Sequence, residues 1–331
     1  MAQRTTEPDV LRGIGILFVA AIHAFAYLHL PTEGGWAAPR FAVQQIAVPI
    51  FFFADFWLLA RRFPHGVAPG ATRAYLLNST RRLMLPWAIF SLLYLATRLA
   101  GERTGLLGGA PVLTGPASLP AALWHGAAAG QLYFLPALLM VRAAGVLLFR
   151  AAASPPRAWV LAALLFLAWR VLLERHIAPP DVGVEPVLAA LTGLCFAALG
   201  WAVALSAPRA PMLATAALAL AALAAQTIDE RTAMACWQIA YLLAVWIAIT
   251  RLPDNPLQRA AAWLGRHTME IYLLHAPIAV KLISDILLRL HVPNAAALLL
   301  AVAGCVAASL AVAALMRRLG LAWTWGEARR A

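Results

Sequence analysis

Residues 11–30 read LRGIGILFVAAIHAFAYLHL, twenty positions interrupted in their apolar character chiefly by Arg12 and His23. Twenty mostly apolar residues are what a helix needs to cross a hydrocarbon layer of about 30 Å. The same kind of run recurs along the chain, at 41–60, 83–100, 131–149, 158–173, 186–206, 211–227, 233–250, 268–290 and 295–316. Prolines and glycines punctuate the gaps, among them Pro31, Pro64, Pro69, Pro155-Pro156, Pro179-Pro180 and Pro253, as expected between helices. The stretch 119–130 is apolar but too short to cross, which predicts a re-entrant or interfacial piece. The expected architecture is therefore all-α: one polytopic domain over 1–331 with about ten transmembrane helices.

Composition makes the same case. The chain is 63% hydrophobic and 12% charged, with a mean hydropathy of +0.78, whereas soluble domains are about 45–50% apolar and about 25% charged. The net charge of +12 would suit an anionic polymer if it formed a patch. Instead the arginines fall in short gaps between spans, which excludes nucleic acid as the natural partner and points to the positive-inside pattern. With the N-terminus cytoplasmic, that side collects 17 arginines, including Arg4, Arg329 and Arg330, against 7 on the far side. Asp181, Glu185, Asp229 and Glu230 lie on the far side, so both termini are expected in the cytoplasm. A small-x-small pattern at Ala24-Phe25-Ala26 resembles a leader cleavage site, but Glu7 and Asp9 precede it and the apolar run continues to Leu30, so a retained span is expected. Only one of the 26 basic residues is a lysine, a bias typical of GC-rich bacterial genes. Cys195, Cys236 and Cys305 sit inside apolar runs away from any ligand spacing, which predicts neither a disulfide nor a metal site.

In such a chain the polar residues at depth carry the information, because they are costly there. Arg12 and His23 are eleven residues apart, about 1100° of helical rotation and about 16 Å of rise, so they share one face. Arg12 lies near the cytoplasmic surface, where a guanidinium suits a phosphate. His23 lies near mid-membrane, where a neutral imidazole suits a general base; the plainer reading is that Arg12 anchors the span and His23 bonds a neighbouring helix. Asp55 stands among aromatics in VPIFFFADFW, 48–57. It either orients His23, as a carboxylate does for a catalytic imidazole, or pairs with Arg61 or Arg62. Arg81-Arg82 open a span, as topological charges or as phosphate contacts. Tyr133 begins the fourth long run on the outer side. In 263–278, WLGRHTMEIYLLHAPI, Tyr272 and His275 are neighbours at i,i+3, Pro277 predicts a kink, and Lys281 and Asp285 are spaced to neutralise each other.

Together these pieces resemble the membrane acyltransferase 3 family of glycan O-acetylases and fucose 4-O-acetylase-like proteins. The resemblance rests on Pro8–Val19 closed by His23, on Pro49-Ile50-Phe51-Phe52, on the Arg81–Pro86 stretch, on Phe134-Leu135-Pro136 and on 265–278, all in order. It implies an acyl-CoA, typically acetyl-CoA, bound from the cytoplasm by Arg12, Arg81 and Arg82. It also implies an essential His23, with Asp55 and His275 as further catalytic candidates, and an acceptor hydroxyl on a lipid-linked or exported glycan, near Tyr133 and Tyr272. No metal is implied, and the place is a bacterial inner membrane. Where the family often has Ser-Gly after the aromatic run, this chain has Ala54-Asp55, which leaves a distinct role open for Asp55. The rival classes are a proton-coupled transporter or flippase of a small or lipid-linked solute, and a structural subunit of a glycan-handling complex.

Overall fold

The structure is a computed structural model that describes residues 6–105, 111–115, 118–127, 129–176, 186–226 and 229–326. The two chain ends and Pro179, Pro180, Asp181 and Glu185 lie outside the described residues.

Fourteen α-helices make up the described chain: α1 Glu7–Tyr27, α2 Ala37–Ile46, α3 Pro49–Arg62, α4 Pro69–Arg103, α5 Leu119–Trp124, α6 Phe134–Ala151, α7 Pro155–His176, α8 Pro186–Leu205, α9 Ala210–Ala225, α10 Glu230–Arg251, α11 Pro256–Arg266, α12 Thr268–Leu274, α13 Val280–Arg289 and α14 Asn294–Arg318. No strand occurs among the described residues. Eight segments are long and apolar enough to cross a bilayer, counting α2–α3 and α12–α13 as one each. Of the ten expected spans the remaining two are α7, which bears Arg157 and Arg170, and the 16-residue α9. The protein is an all-α polytopic membrane protein. Helices are the natural solution, since every backbone N–H and C=O must be satisfied inside the lipid. Leucines 213, 220, 299 and 315 point outward from α9 and α14, the inverse of a soluble surface. The piece at 119–130 forms only the six-residue α5 and a turn, and does not cross.

Helix starts follow the local chemistry. Pro8 sits in the first turn of α1 with Glu7 and Asp9, where a missing N–H costs nothing and carboxylates meet the positive helix end. The Asn255 side chain accepts from the Gln258 N–H at 3.0 Å to cap α11, with Pro256 next. The aromatic run of α3 forms the centre of the core. Phe52 meets Phe134 at 5.1 Å between ring centroids, Phe56 meets Phe149 at 5.0 Å and Trp57 meets Trp246 at 5.1 Å.

Helices α1 and α11 approach backbone to backbone. A Cβ on Gly13 would stand 1.9 Å from the Ala261 carbonyl oxygen, and one on Gly265 only 1.8 Å from that of Asp9. Two glycines thus let the two backbones touch, and any side chain forces them apart. At the opposite end Asp229, beside the start of α10, accepts from the Thr232 hydroxyl and from Arg170 of α7. Arg170 Nε also donates to Thr232 Oγ1 at 2.8 Å. Arg150 of α6 holds the α3–α4 connection through the Val67 carbonyl, at 2.9 and 2.7 Å.

Two outcomes follow from these contacts. Gly265→Ala lowers the thermal stability of the detergent-solubilised protein by about 1–3 kcal/mol, the usual overpacking range. Gly35→Ala, whose added methyl meets nothing within 4 Å, leaves it unchanged. The hydrogen bonds from Thr232 and Arg170 hold the Asp229 carboxyl down from its ordinary 3.8 to about 2. A lowered folded value stabilises above the unfolded value and is lost as pH falls through the folded one. The stability difference between wild type and Asp229→Asn is therefore constant above about pH 5 and shrinks between about pH 4 and 2, read from melting curves across that range.

Candidate active site

A cavity of about 570 Å³ opens inside the bundle between α1, α3, α6 and α12. One end holds Arg12, Asp55, Arg142 and Arg266; farther in are His23, Gln131, Tyr133 and Tyr272, with Val19, Ile22, Phe51 and Leu138 among the apolar walls. Arg12 and His23 both line it, as their eleven-residue spacing requires.

The charged end is an ordered chain of ion pairs. Arg142 on α6 grips Asp55 on α3 with two parallel bonds, Nε to Oδ2 at 2.8 Å and Nη2 to Oδ1 at 2.5 Å. Arg12 approaches the same Oδ1 at 4.0 Å and Asp9 at 3.6 Å. The fork of a guanidinium matches both carboxylate oxygens, which makes this the strong form of the interaction. Asp55 is therefore held by Arg142 and Arg12, not by Arg61 or Arg62, whose guanidiniums lie over the rings of Trp57 and Phe63. No hydrogen bond joins Asp55 to His23 among the described residues.

The inner end is built around a break in the α12–α13 span. Ala276 adopts φ −132° and ψ 155°, outside the helical region, so the kink expected at Pro277 is realised one residue earlier and nearby carbonyls lose their helical partners. Each of three finds a side chain instead. Tyr94 Oη donates to the Leu273 carbonyl at 2.5 Å, Gln131 Nε2 to that of Ala276 at 2.5 Å, and His275 Nδ1 lies 2.9 Å from that of Tyr272. The Tyr272 hydroxyl in turn donates to the Gln131 carbonyl. A carbonyl only accepts, so His275 Nδ1 carries the proton and Nε2 is the bare nitrogen. That Nε2 is buried and has no hydrogen-bond partner among the described residues.

His23 and His275 meet with ring centroids 5.0 Å apart at 61°. His23 is half-buried and faces the cavity, whereas His275 is wholly buried behind it. Tyr133 and Tyr272 both line the cavity. Arg81 and Arg82 do not: they stand exposed on α4 just before Leu83, which does. Lys281 and Asp285 pair at 2.7 Å on the exposed side of α13. Below the cavity Glu270 is buried against Arg317 of α14 and, at 3.4 Å, His267, which ties α12 to α14.

Arg142, Gln131 and Arg266 were not singled out in the sequence. Arg142 carried a signal: an arginine inside a span needs a carboxylate at its own depth, and few carboxylates are available. Gln131 and Arg266 lie at span ends, where polar residues are ordinary.

The family model described as an acyltransferase domain matches residues 6–318. The chain belongs to the acyltransferase 3 family. That family consists of acyltransferases, so the protein is an enzyme that takes an acyl group from a donor. No curated protein and no solved structure gives a significant match.

Removing one partner of a buried ion pair leaves the other charge without compensation and costs about 3–5 kcal/mol. Arg142→Ala should therefore sharply reduce the yield of folded protein. The double variant Asp55→Ala/Arg142→Ala should recover most of it, as read by size-exclusion profile and melting temperature.

Proposed function

We propose that this acyltransferase moves an acetyl group from acetyl-CoA to a hydroxyl of a cell-envelope or exported glycan, in the inner membrane of a bacterium. The observation that carries the reading is His23: the imidazole on the cavity wall, about 16 Å along α1 from Arg12. That separation matches the length of a pantetheine arm. Arg12 takes the donor's phosphates at the cytoplasmic end, and the thioester carbonyl then reaches His23. Arg81 and Arg82, exposed beside the cavity, serve the nucleotide that protrudes from it. The arginine-rich end faces the cytoplasm and the acceptor arrives from the other side, past Tyr133 and Tyr272.

His23 removes the proton of the acceptor hydroxyl as its oxygen attacks the thioester carbon. The C–O bond forms, the C–S bond breaks, and the imidazolium returns the proton to the departing thiolate. His23 is the base because its ring is open to the cavity; His275 supports it from behind. Asp55 acts on the donor side, fixing Arg12 and Arg142. Little water competes in such a chamber.

The alternative, a proton-coupled transporter or flippase, draws on the broken α12–α13 span, since broken helices mark transporter sites. Here the freed carbonyls are occupied by Tyr94, Gln131 and His275, which favours a fixed wall over an ion site.

His23→Ala should keep donor binding and lose about 10²–10⁴-fold in transfer, the usual worth of a general base. The assay follows label from acetyl-CoA into the glycan fraction of membranes containing the protein. His275→Asn, which keeps a donor for the Tyr272 carbonyl, should cost less. Near-normal transfer by His23→Ala would remove His23 from this role, and solute uptake without acyl transfer would establish the transporter.

A further inference from the structure

Arg266 lines the same cavity as Arg12 and stands exposed at its mouth. It is the last residue of α11, directly after Gly265, whose Cα rests on the Asp9 carbonyl of α1. Arg12 lies three residues beyond Asp9, so the two arginines sit beside the one helix crossing where Gly13 and Gly265 let the backbones meet. Their charges are spent differently. Arg12 is shared between Asp9 and Asp55, and Arg142 is gripped by Asp55. The nearest carboxylate along the chain, Glu270, is taken by Arg317 and His267. Arg266 has no ion pair or hydrogen bond among the described residues. Among the described residues it is an uncompensated cation, at the mouth of a cavity whose Arg12 and Arg142 already have carboxylates.

We propose that Arg266 is the second arginine of the donor site and, with Arg12, binds the diphosphate of CoA. This rests on the reading of CoA as donor and names the group that recognises it. The choice of phosphate follows from length. With the thioester at His23, a pantetheine arm extended along α1 ends near Arg12, about 16 Å away. The first phosphates it reaches are those of the diphosphate; the ribose 3′-phosphate lies farther out. Two planar forks lining one cavity suit a diphosphate, each able to bind two oxygens at once. A lipid phosphate at the interface offers the same chemistry, and the measurement separates the two.

The full-length protein in nanodiscs of zwitterionic lipid is titrated by calorimetry with acetyl-CoA and with 3′-dephospho-acetyl-CoA. Arg266→Ala should weaken both by about tenfold or more, the worth of a charge-assisted contact. Arg266→Lys should restore part of the loss, and the melting temperature without donor should stay at the wild-type value. Equal affinity in wild type and Arg266→Ala would make Arg266 a lipid-facing charge, and a loss seen only with acetyl-CoA would move it to the ribose phosphate. Either result overturns the proposal while leaving the donor intact. Failure of wild-type protein to bind either thioester would instead overturn CoA as the donor, and this assignment with it.

Discussion

A carboxylate and a guanidinium inside a lipid-embedded bundle have no water to fall back on, and the pair formed by Asp55 and Arg142 organises much of what surrounds it. Either charge alone would be prohibitive at that depth. Together, with two parallel bonds at 2.8 and 2.5 Å, they join α3 to α6 and draw Arg12 of α1 to within 4.0 Å. Three helices are thus positioned by one carboxylate. Apolar packing alone gives little direction in lipid, because the tails are as apolar as the side chains. The pair supplies that direction at the charged end of the cavity.

The opposite end solves a related problem with neutral groups. Breaking a span at Ala276 frees carbonyls that lipid cannot satisfy. Tyr94 and Gln131, from other elements, and His275, from the break itself, each donate to one. The consequence reaches the chemistry. His275 is fixed as the Nδ1–H tautomer beside His23, and the Tyr272 hydroxyl is committed to the Gln131 carbonyl. An imidazole held against such a wall has few ways to be misplaced, which is what positioning requires.

Between these ends lies one continuous cavity, charged at one end and bearing His23 farther in. Membership of the acyltransferase 3 family, over residues 6–318, gives the class of reaction. Under the proposed function the charged end anchors the donor, the apolar walls pass its arm, and His23 serves as the base.

The sequence by itself determined the solvent, the helices and the face shared by Arg12 and His23. These depend on local quantities, namely run length, composition and the 100° turn per residue, which tertiary contacts do not alter. It also held the family resemblance, because the motifs are contiguous, and the kink near Pro277, because a proline lacks a donor. It left the partner of Asp55 open between His23 and Arg61 or Arg62. Only the fold chose Arg142, 87 positions away, since which charge lies at the same depth depends on how helices pack. The same holds for His275 behind His23 and for Gln131 at the broken helix. That Arg81 and Arg82 stand exposed beside the cavity, with the adjacent Leu83 lining it, is likewise visible only in the fold. Periodicity says which residues share a face of one helix; which neighbour that face meets is settled by packing alone.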